Sequence, residues 1–242
     1  MAGRAGRGQT VPRARTRRRA EPPTGRPGRH GAYDDDVSRV LLIRHGETQW
    51  NAERRWQGWR DSPLTAAAEA QAATRAAGLA AAGFAPRALW SSDLGRARRT
   101  AEIVAAHLEV PVLADAGFRE KCGGDWEGYT ADEIDTHWPG MRERWRRGEI
   151  AAMPGGEDDA TVLARFDDAL RRVLDHVGDG VFGIVMHGGI LRLVATRAGA
   201  DVHTLIPNLG GFWFDVTGGA LCAPRPLDTA RDDATYERPG IE

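Results

Sequence analysis

Two buried strands that each end in His-Gly constrain this chain more than any other feature. Val40-Leu41-Leu42-Ile43 runs without a polar break into Arg44-His45-Gly46, and Gly183-Ile184-Val185-Met186 runs into His187-Gly188-Gly189. A short, unbroken aliphatic and β-branched run is the pattern of a strand covered on both faces, as in parallel sheets flanked by helices. The rest of the chain supplies the helices. Thr65 is placed to N-cap an Ala-rich helix over residues 66–82 that stops at Gly83. A short strand at 88–90 leads to Ser92 or Asp93, either of which suits the cap of a helix running through Leu108. Residues 110–113 read as extended, and 133–147 and 159–176 as helices, the second with Val162, Phe166, Leu170 and Val173 on one stripe. The strand over 182–186 is followed by a helix from Ile190 to about Ala198. Late strands at 212–216 and 220–223 are expected to be antiparallel or at an edge. This alternation predicts a three-layer α/β/α sandwich around a mostly parallel sheet.

Charge divides the chain. The sum of 33 basic and 34 acidic residues is near zero. Yet residues 1–33 hold nine Arg against Glu21 alone, so the remainder carries 24 basic and 33 acidic side chains. Residues 1–36 are Arg, Gly, Pro and Ala with almost no aliphatic side chains, and are expected to be a disordered tail. Four readings of that tail stand: an RNA- or phosphate-binding arm, a tether to an anionic membrane, a segment with no specific role, or a segment outside the natural protein, with Val37 as a start. The domain is expected over 37–223, with a loose tail over 224–242. Cys122 and Cys222 are far apart and lack CxxC spacing, so neither a disulfide framework nor a zinc knuckle is indicated. That usage fits a cytoplasmic protein. Arg17-Arg18-Arg19 is not followed by an apolar region, which argues against an export signal.

The chemistry is expected at the strand ends. Parallel α/β sheets bind ligands in the crevice beyond the carboxyl ends of their strands. His45 and His187 occupy two such ends, and Gly188 lets the backbone turn and approach a ligand closely. Ser91-Ser92-Asp93-Leu94-Gly95-Arg96 follows a third strand and opens a helix, whose free N–H groups favour anions. With Arg44, Arg96, His45 and His187 the site would be a cationic pocket for a tetrahedral dianion. Arg119-Glu120-Lys121-Cys122-Gly123-Gly124-Asp125-Trp126-Glu127-Gly128 is a Gly-rich loop with three acids. A group that protonates a departing alkoxide is required for phosphoryl transfer, and on chemistry alone Glu120, Asp125 and Glu127 all qualify.

These segments resemble the histidine phosphatase superfamily, the phosphoglycerate mutase-like proteins. The likeness rests on Leu42-Ile43-Arg44-His45-Gly46-Glu47-Thr48 and Asn51, then Arg55-Trp56-Gln57-Gly58 and Asp61-Ser62-Pro63-Leu64-Thr65. It continues through the segment at Arg96, the acid loop, Pro154-Gly155-Gly156-Glu157 and His187-Gly188-Gly189-Ile190-Leu191-Arg192. It spans about residues 38–216, in the family's order. The resemblance implies a phosphoglycerate mutase-like fold and a set of roles. His45 would be the nucleophile, carrying the phosphoryl group, with its other ring nitrogen donating to a main-chain carbonyl. Arg44, Arg96 and His187 would hold the phosphoryl oxygens, with Asn51 contributing. Glu120 would be the general acid and then the base for water, Asp125 and Glu127 would fix the loop, and Gln57 and Gly58 would line the entrance. No cofactor and no metal are implied. Two positions depart from the family, Ala68 where Gly is frequent and Gly123 where an aromatic is common.

The family's mutases carry a longer insertion before the second histidine than the 59 residues between Glu127 and His187 here. The expected activity is therefore a metal-independent phosphomonoesterase acting on a small phosphorylated metabolite, with phosphoglycerate mutase-type transfer as the alternative. A different class, a nucleic-acid-associated protein using the basic tail, is disfavoured by the acidic body. No membrane partner is expected, and a homodimer is the protein-level partner considered. Trp138, Met141 and Trp145 fall at helical spacing and read as packing. Arg142, Arg144, Arg146 and Arg147 read as a solvated helix face before a second anion site, and Trp50, Trp56 and Trp59 as rim packing or stacking platforms.

Overall fold

The first aliphatic run becomes the strand β1, Ser38–Arg44, set inside a six-stranded sheet. The computed structural model describes residues 38–178, 180–203 and 205–227, with Met1 and Gly3. The expectations for the N-terminal tail and for the chain beyond Leu227 lie outside the described residues. All elements below belong to the unit Asp34–Glu242. After β1 come α1 (Gln49–Ala52), α2 (Ala66–Ala81), β2 (Leu89–Ser91), α3 (Gly95–Leu108) and β3 (Val112–Ala114). Two 3₁₀ turns, Ala116–Phe118 and Gly124–Trp126, precede α4 (Ala131–His137), α5 (Met141–Arg146) and α6 (Asp159–Val177). β4 (Val181–Met186), α7 (Gly188–Arg197), β5 (Gly211–Thr217) and β6 (Ala220–Pro226) complete the chain.

The sheet order is β3-β2-β4-β1-β5-β6. β1, β2, β3 and β4 pair in parallel, and β5 and β6 are antiparallel. Both faces are covered, as the unbroken aliphatic runs require. Val40 and Leu42 of β1 point into a core with Phe166 and Leu170 of α6 and Ile190 and Val194 of α7. Leu41 and Ile43 point the other way, into a core with Ala76 and Leu79 of α2 and Val104 of α3. Each buried Val, Leu, Ile or Phe among them stabilises the fold by roughly 1.5–3 kcal/mol relative to exposure. A separate small core gathers Trp126, Ile134 and Met153 with Trp56, Trp138, Met141 and Trp145, so the packing reading of those three helical-spaced residues holds.

Register sets the functional geometry. Arg44 lies opposite Met186 in the β1–β4 ladder, so His45 and His187 leave the sheet side by side. Ser91 of β2 lies opposite Val185, which brings the start of α3 to the same end of the sheet.

Four boundaries differ from expectation. The helix expected over 133–147 is two helices, because Pro139 supplies no amide donor and Gly140 takes φ +73°. Neither Ser92 nor Asp93 caps α3: Leu94 is the N-cap, and both Asp93 carboxylate oxygens accept from Arg119 at 2.7 and 2.6 Å. α7 starts at Gly188 rather than Ile190. β6 continues through Pro224 to Pro226, past the expected end at 223; as the outermost strand it tolerates proline, and Leu227 N–H still donates to Gly211 O at 2.9 Å.

Candidate active site

His45 sits at the carboxyl end of β1 with its backbone N–H donating to Met186 O at 2.9 Å. Its Nδ1 is 2.7 Å from Gly46 O. A carbonyl only accepts, so Nδ1 carries the hydrogen and Nε2 keeps its lone pair. Arg96 Nε donates to that Nε2 at 3.3 Å. Burial first, then the charges of Arg96 and Arg44, push the His45 pKa well below the usual imidazole value, with the Gly46 carbonyl opposing. The ring is therefore a neutral imidazole near pH 7. The following turn is held by Thr100, whose Oγ1 accepts from Gly46 N at 3.0 Å and donates to Arg96 O at 2.8 Å. Asn208 Nδ2 donates to His45 O at 2.9 Å.

His187, the N-cap of α7, is fully buried, and its ring centroid lies 5.2 Å from that of His45, edge to face. Neither of its ring nitrogens has a hydrogen-bond partner in the structure. Burial and the nearby Arg96 lower its pKa as well, with His45, Arg165 and Arg44 adding to the effect. A buried N–H without an acceptor is costly unless something else satisfies it.

Arg96, in the first turn of α3, is one of the largest fully buried polar side chains. Nη1 donates to Arg60 O at 2.9 Å and Asp61 Oδ1 at 3.0 Å, and Nη2 to Gly58 O at 2.7 Å. Burial lowers its pKa, and Asp61 is the main opposing influence, with Glu120 and Glu127 contributing. Arg44 donates through Nη1 to Ile206 O at 2.5 Å. Gly188 lets α7 approach it: a Cβ there would lie 3.1 Å from Arg44 Nε.

Glu120 faces the first turn of α7. Its Oε2 accepts from Gly189 N at 2.9 Å, and its Oε1 from Ile190 N at 2.9 Å and Lys121 N at 2.8 Å. A negative group at a helix N-terminus meets both free N–H groups and the positive end of the dipole. Glu127 is buried and does something different. Its Oε1 accepts from Trp59 N and Gly123 N at 2.8 and 2.9 Å, and its Oε2 from Arg60 N at 3.0 Å. It thereby ties the 57–60 turn to the acid loop, as the loop-fixing reading expected. Gly58 has φ +53°, and a Cβ there would come 2.0 Å from Glu127 Oε1, so only glycine fits. Trp59 is exposed at the rim, with Nε1 donating to Glu120 O at 2.8 Å and the Arg119 guanidinium 4.9 Å from its ring.

The remaining expected residues take more varied places. Gln57 is buried beside Gly58, and its Oε1 has no partner. Asn51 completes a capping box on α1: its Oδ1 accepts from Thr48 N and Oγ1 at 3.2 and 3.1 Å, which leaves its amide NH₂ as the group it offers an anion. Arg142 pairs with Asp135, Arg144 with Glu149 and Arg147 with Glu143 and Glu149, in line with a solvated face. Trp56 packs edge to face on Trp126 and Trp145 and is not a platform. Among the described residues no three His, Cys, Asp or Glu side chains cluster as a metal site, and no helix is long and apolar enough to cross a membrane. Sequence reasoning placed Thr100 in the segment at Arg96 without giving it a role, and missed Asn208 and Arg165. Thr100 had a signal, since it lies one helical turn after Arg96; the other two meet the site only through tertiary contact.

Comparison with known proteins places this geometry. The profile of the histidine phosphatase superfamily, branch 1, matches residues 40–207. A relative named probable phosphoglycerate mutase GpmB, from Escherichia fergusonii, is 41% identical over 169 residues, covering 66% of this chain and 74% of the relative. Among solved structures, Bacillus stearothermophilus YhfR aligns with a TM-score of 0.69 at 32% identity, covering 76% of this chain and 94% of that one. A mycobacterial glucosyl-3-phosphoglycerate phosphatase, Rv2419c, solved with VO3, aligns at 0.64 and 29% identity, covering 78% and 96%. An alpha-ribazole phosphatase from Shigella flexneri aligns at 0.68 and 25%, covering 79% and 96%. With a buried histidine pair at adjacent strand ends, an arginine on the free ring nitrogen and a matching sequence across most of the domain, this chain belongs to the histidine phosphatase superfamily, branch 1.

Proposed function

We propose that the protein is a phosphomonoesterase that hydrolyses a small phosphorylated metabolite without a metal, through a phosphohistidine on His45. The observation that carries this reading is the His45 ring: Nδ1 is fixed on Gly46 O, and the neutral Nε2 faces Arg96 beside an unpartnered, buried His187. In the first step Nε2 attacks phosphorus and the P–O bond to the leaving alcohol breaks. Arg96 Nε passes from Nε2 to a phosphoryl oxygen, His187 supplies the N–H that has no partner in the structure, and Arg44 and Asn51 lie at the same end of the sheet. Donors fixed in advance stabilise the charge that develops on those oxygens. Glu120 protonates the departing alkoxide. In the second step the Glu120 carboxylate takes a proton from water, the hydroxide attacks phosphorus, and the P–N bond breaks to return neutral His45 and inorganic phosphate.

Structural neighbours named as a glucosyl-3-phosphoglycerate phosphatase and an alpha-ribazole phosphatase support hydrolysis of a small phosphorylated metabolite. The relatives named as probable phosphoglycerate mutases keep transfer to a second hydroxyl as the competing reading. The test is a panel of phosphomonoesters assayed in EDTA with wild type, His45→Ala and Glu120→Ala, with phosphoglycerates included and scored for isomerisation. Hydrolysis that survives EDTA, is lost in His45→Ala and is accompanied by an acid-labile phosphoprotein is the expected result. Isomerisation faster than hydrolysis would favour the mutase, and full activity in His45→Ala would overturn both.

A further inference from the structure

We propose that Arg165, bonded to the main chain at and before Glu120, is a positioning residue that sets where the Glu120 carboxyl stands. This rests on the role given to Glu120 above. Arg165 lies on α6, and its guanidinium donates to three main-chain carbonyls, one in the 3₁₀ turn before the loop and two in the loop itself. Nη1 reaches Gly117 O at 2.9 Å and Arg119 O at 2.7 Å, and Nη2 reaches Glu120 O at 2.8 Å. The same guanidinium is paired with Glu157, through Nε to Oε1 and Nη2 to Oε2, both at 2.9 Å. Glu157 in turn accepts from Cys122 N at 2.8 Å and donates its own N–H to Cys122 O at 3.1 Å. Arg165 and Glu157 thus grip the main chain immediately before, at and after Glu120, and both side chains are largely buried.

The grip is tight. A Cβ on Gly117 would meet Ala169 Cβ at 2.5 Å and Arg165 O at 2.6 Å, so the loop lies directly against α6. The Glu120 side chain then spans to the other helix, where Gly189 and Ile190 of α7 hold its oxygens. With its main chain fixed to α6 and its carboxyl to α7, Glu120 has both ends defined. A planar guanidinium with five donors can serve three carbonyls and a carboxylate together, which an ammonium cannot. Arg165 touches neither His45 nor a reacting atom, but its charge also acts on His187. Substitution to Lys keeps that charge and changes the grip on the loop, so it isolates the effect that passes through Glu120.

A general acid matters most when the leaving group is basic. Arg165→Lys should therefore lower kcat/KM for an alkyl phosphate by on the order of 10- to 100-fold, the scale expected of a small misplacement of a catalytic group. It should leave 4-nitrophenyl phosphate, whose leaving group needs little protonation, within a few-fold of wild type. In a Glu120→Gln background the same substitution should cause no further loss for either substrate. Circular dichroism and the melting temperature establish that each variant is folded. An equal loss for both substrates, or a full further loss in the Glu120→Gln background, would overturn the positioning role. If Glu120→Gln itself fails to discriminate between the two substrates, the failure lies in the role of Glu120, not in Arg165; should Arg165→Lys not fold, Glu157→Gln is read by the same three comparisons.

Discussion

Arg96 Nε donates to His45 Nε2 at 3.3 Å, so the nitrogen with the free lone pair is already paired with the cation that would next meet a phosphoryl oxygen. Three other N–H groups of that guanidinium are committed to Gly58 O, Arg60 O and Asp61. They orient the fork so that Nε is directed at the histidine. Arg96→Lys keeps the charge and loses this geometry. It is expected to lower kcat by about 10²–10³, the usual effect of removing one preorganised donor to a developing oxyanion. Steady-state kinetics on one phosphomonoester checks this, and a variant within threefold of wild type would contradict it.

Gly189 is expected to be nearly as sensitive, though it carries no side chain. A Cβ there would lie 2.6 Å from Glu120 Oε1 and 3.1 Å from Oε2, with the carboxylate already fixed by Gly189 N and Ile190 N. Gly189→Ala must therefore move the carboxyl. In a helix the change favours folding by up to about 1 kcal/mol of intrinsic propensity. The expected signature is activity on alkyl phosphates down by at least tenfold, with the melting temperature unchanged or raised. Loss of both together would mean that the methyl disrupts α7 itself.

The central sheet offers a test of packing alone. Gly183 of β4 faces Leu89 and Phe84, and a Cβ would meet Leu89 Cδ2 at 2.8 Å and Phe84 Cζ at 2.9 Å. Both neighbours are buried, so neither swings into solvent. Overpacking of this kind costs roughly 1–3 kcal/mol. Gly183→Ala should lower urea stability by that amount while the catalytic constants at 25 °C stay close to wild type, since the histidines lie beyond the other end of the strand.

The parts of this molecule legible in its sequence are those whose signal is local. The β1 and β4 runs, the Thr65 cap and the stripe on α6 each follow from residues within one element. His45 and His187 were found because both follow such runs. The break at Pro139 was equally local, but its effect competed with helical spacing on either side. Arg165, Asn208 and Asp61 are different. Arg165 holds carbonyls 45–48 residues away, and Asn208 reaches His45 across 163 residues. Their chemistry is ordinary until the sheet order brings them together. Gly189 carried a signal that pointed to a turn; its purpose, room for Glu120, depends on a contact that only the fold creates.

The histidine pair also predicts how stability depends on pH. Burial, reinforced by Arg96 and the other cations, holds both imidazoles well below their ordinary value in the folded state. In the unfolded chain each titrates near 6.5. Above that pH neither state is protonated and the full stability is present. As pH falls through about 6.5 the unfolded chain binds protons that the folded protein refuses, so stability declines toward the lower folded-state values. Each histidine contributes a slope of at most about 1.4 kcal/mol per pH unit in that window. The depressed carboxyls of Asp93 and Asp115 act in the same direction, but only at lower pH, near the carboxylate range. Urea unfolding at pH 7.5, 6.5 and 5.5 therefore isolates the pair. His187→Gln should show a shallower decline than wild type, because the histidines common to both proteins cancel in the difference. Parallel curves for the two proteins would mean that His187 titrates in the folded protein as it does in the unfolded chain, contrary to the effect of its burial.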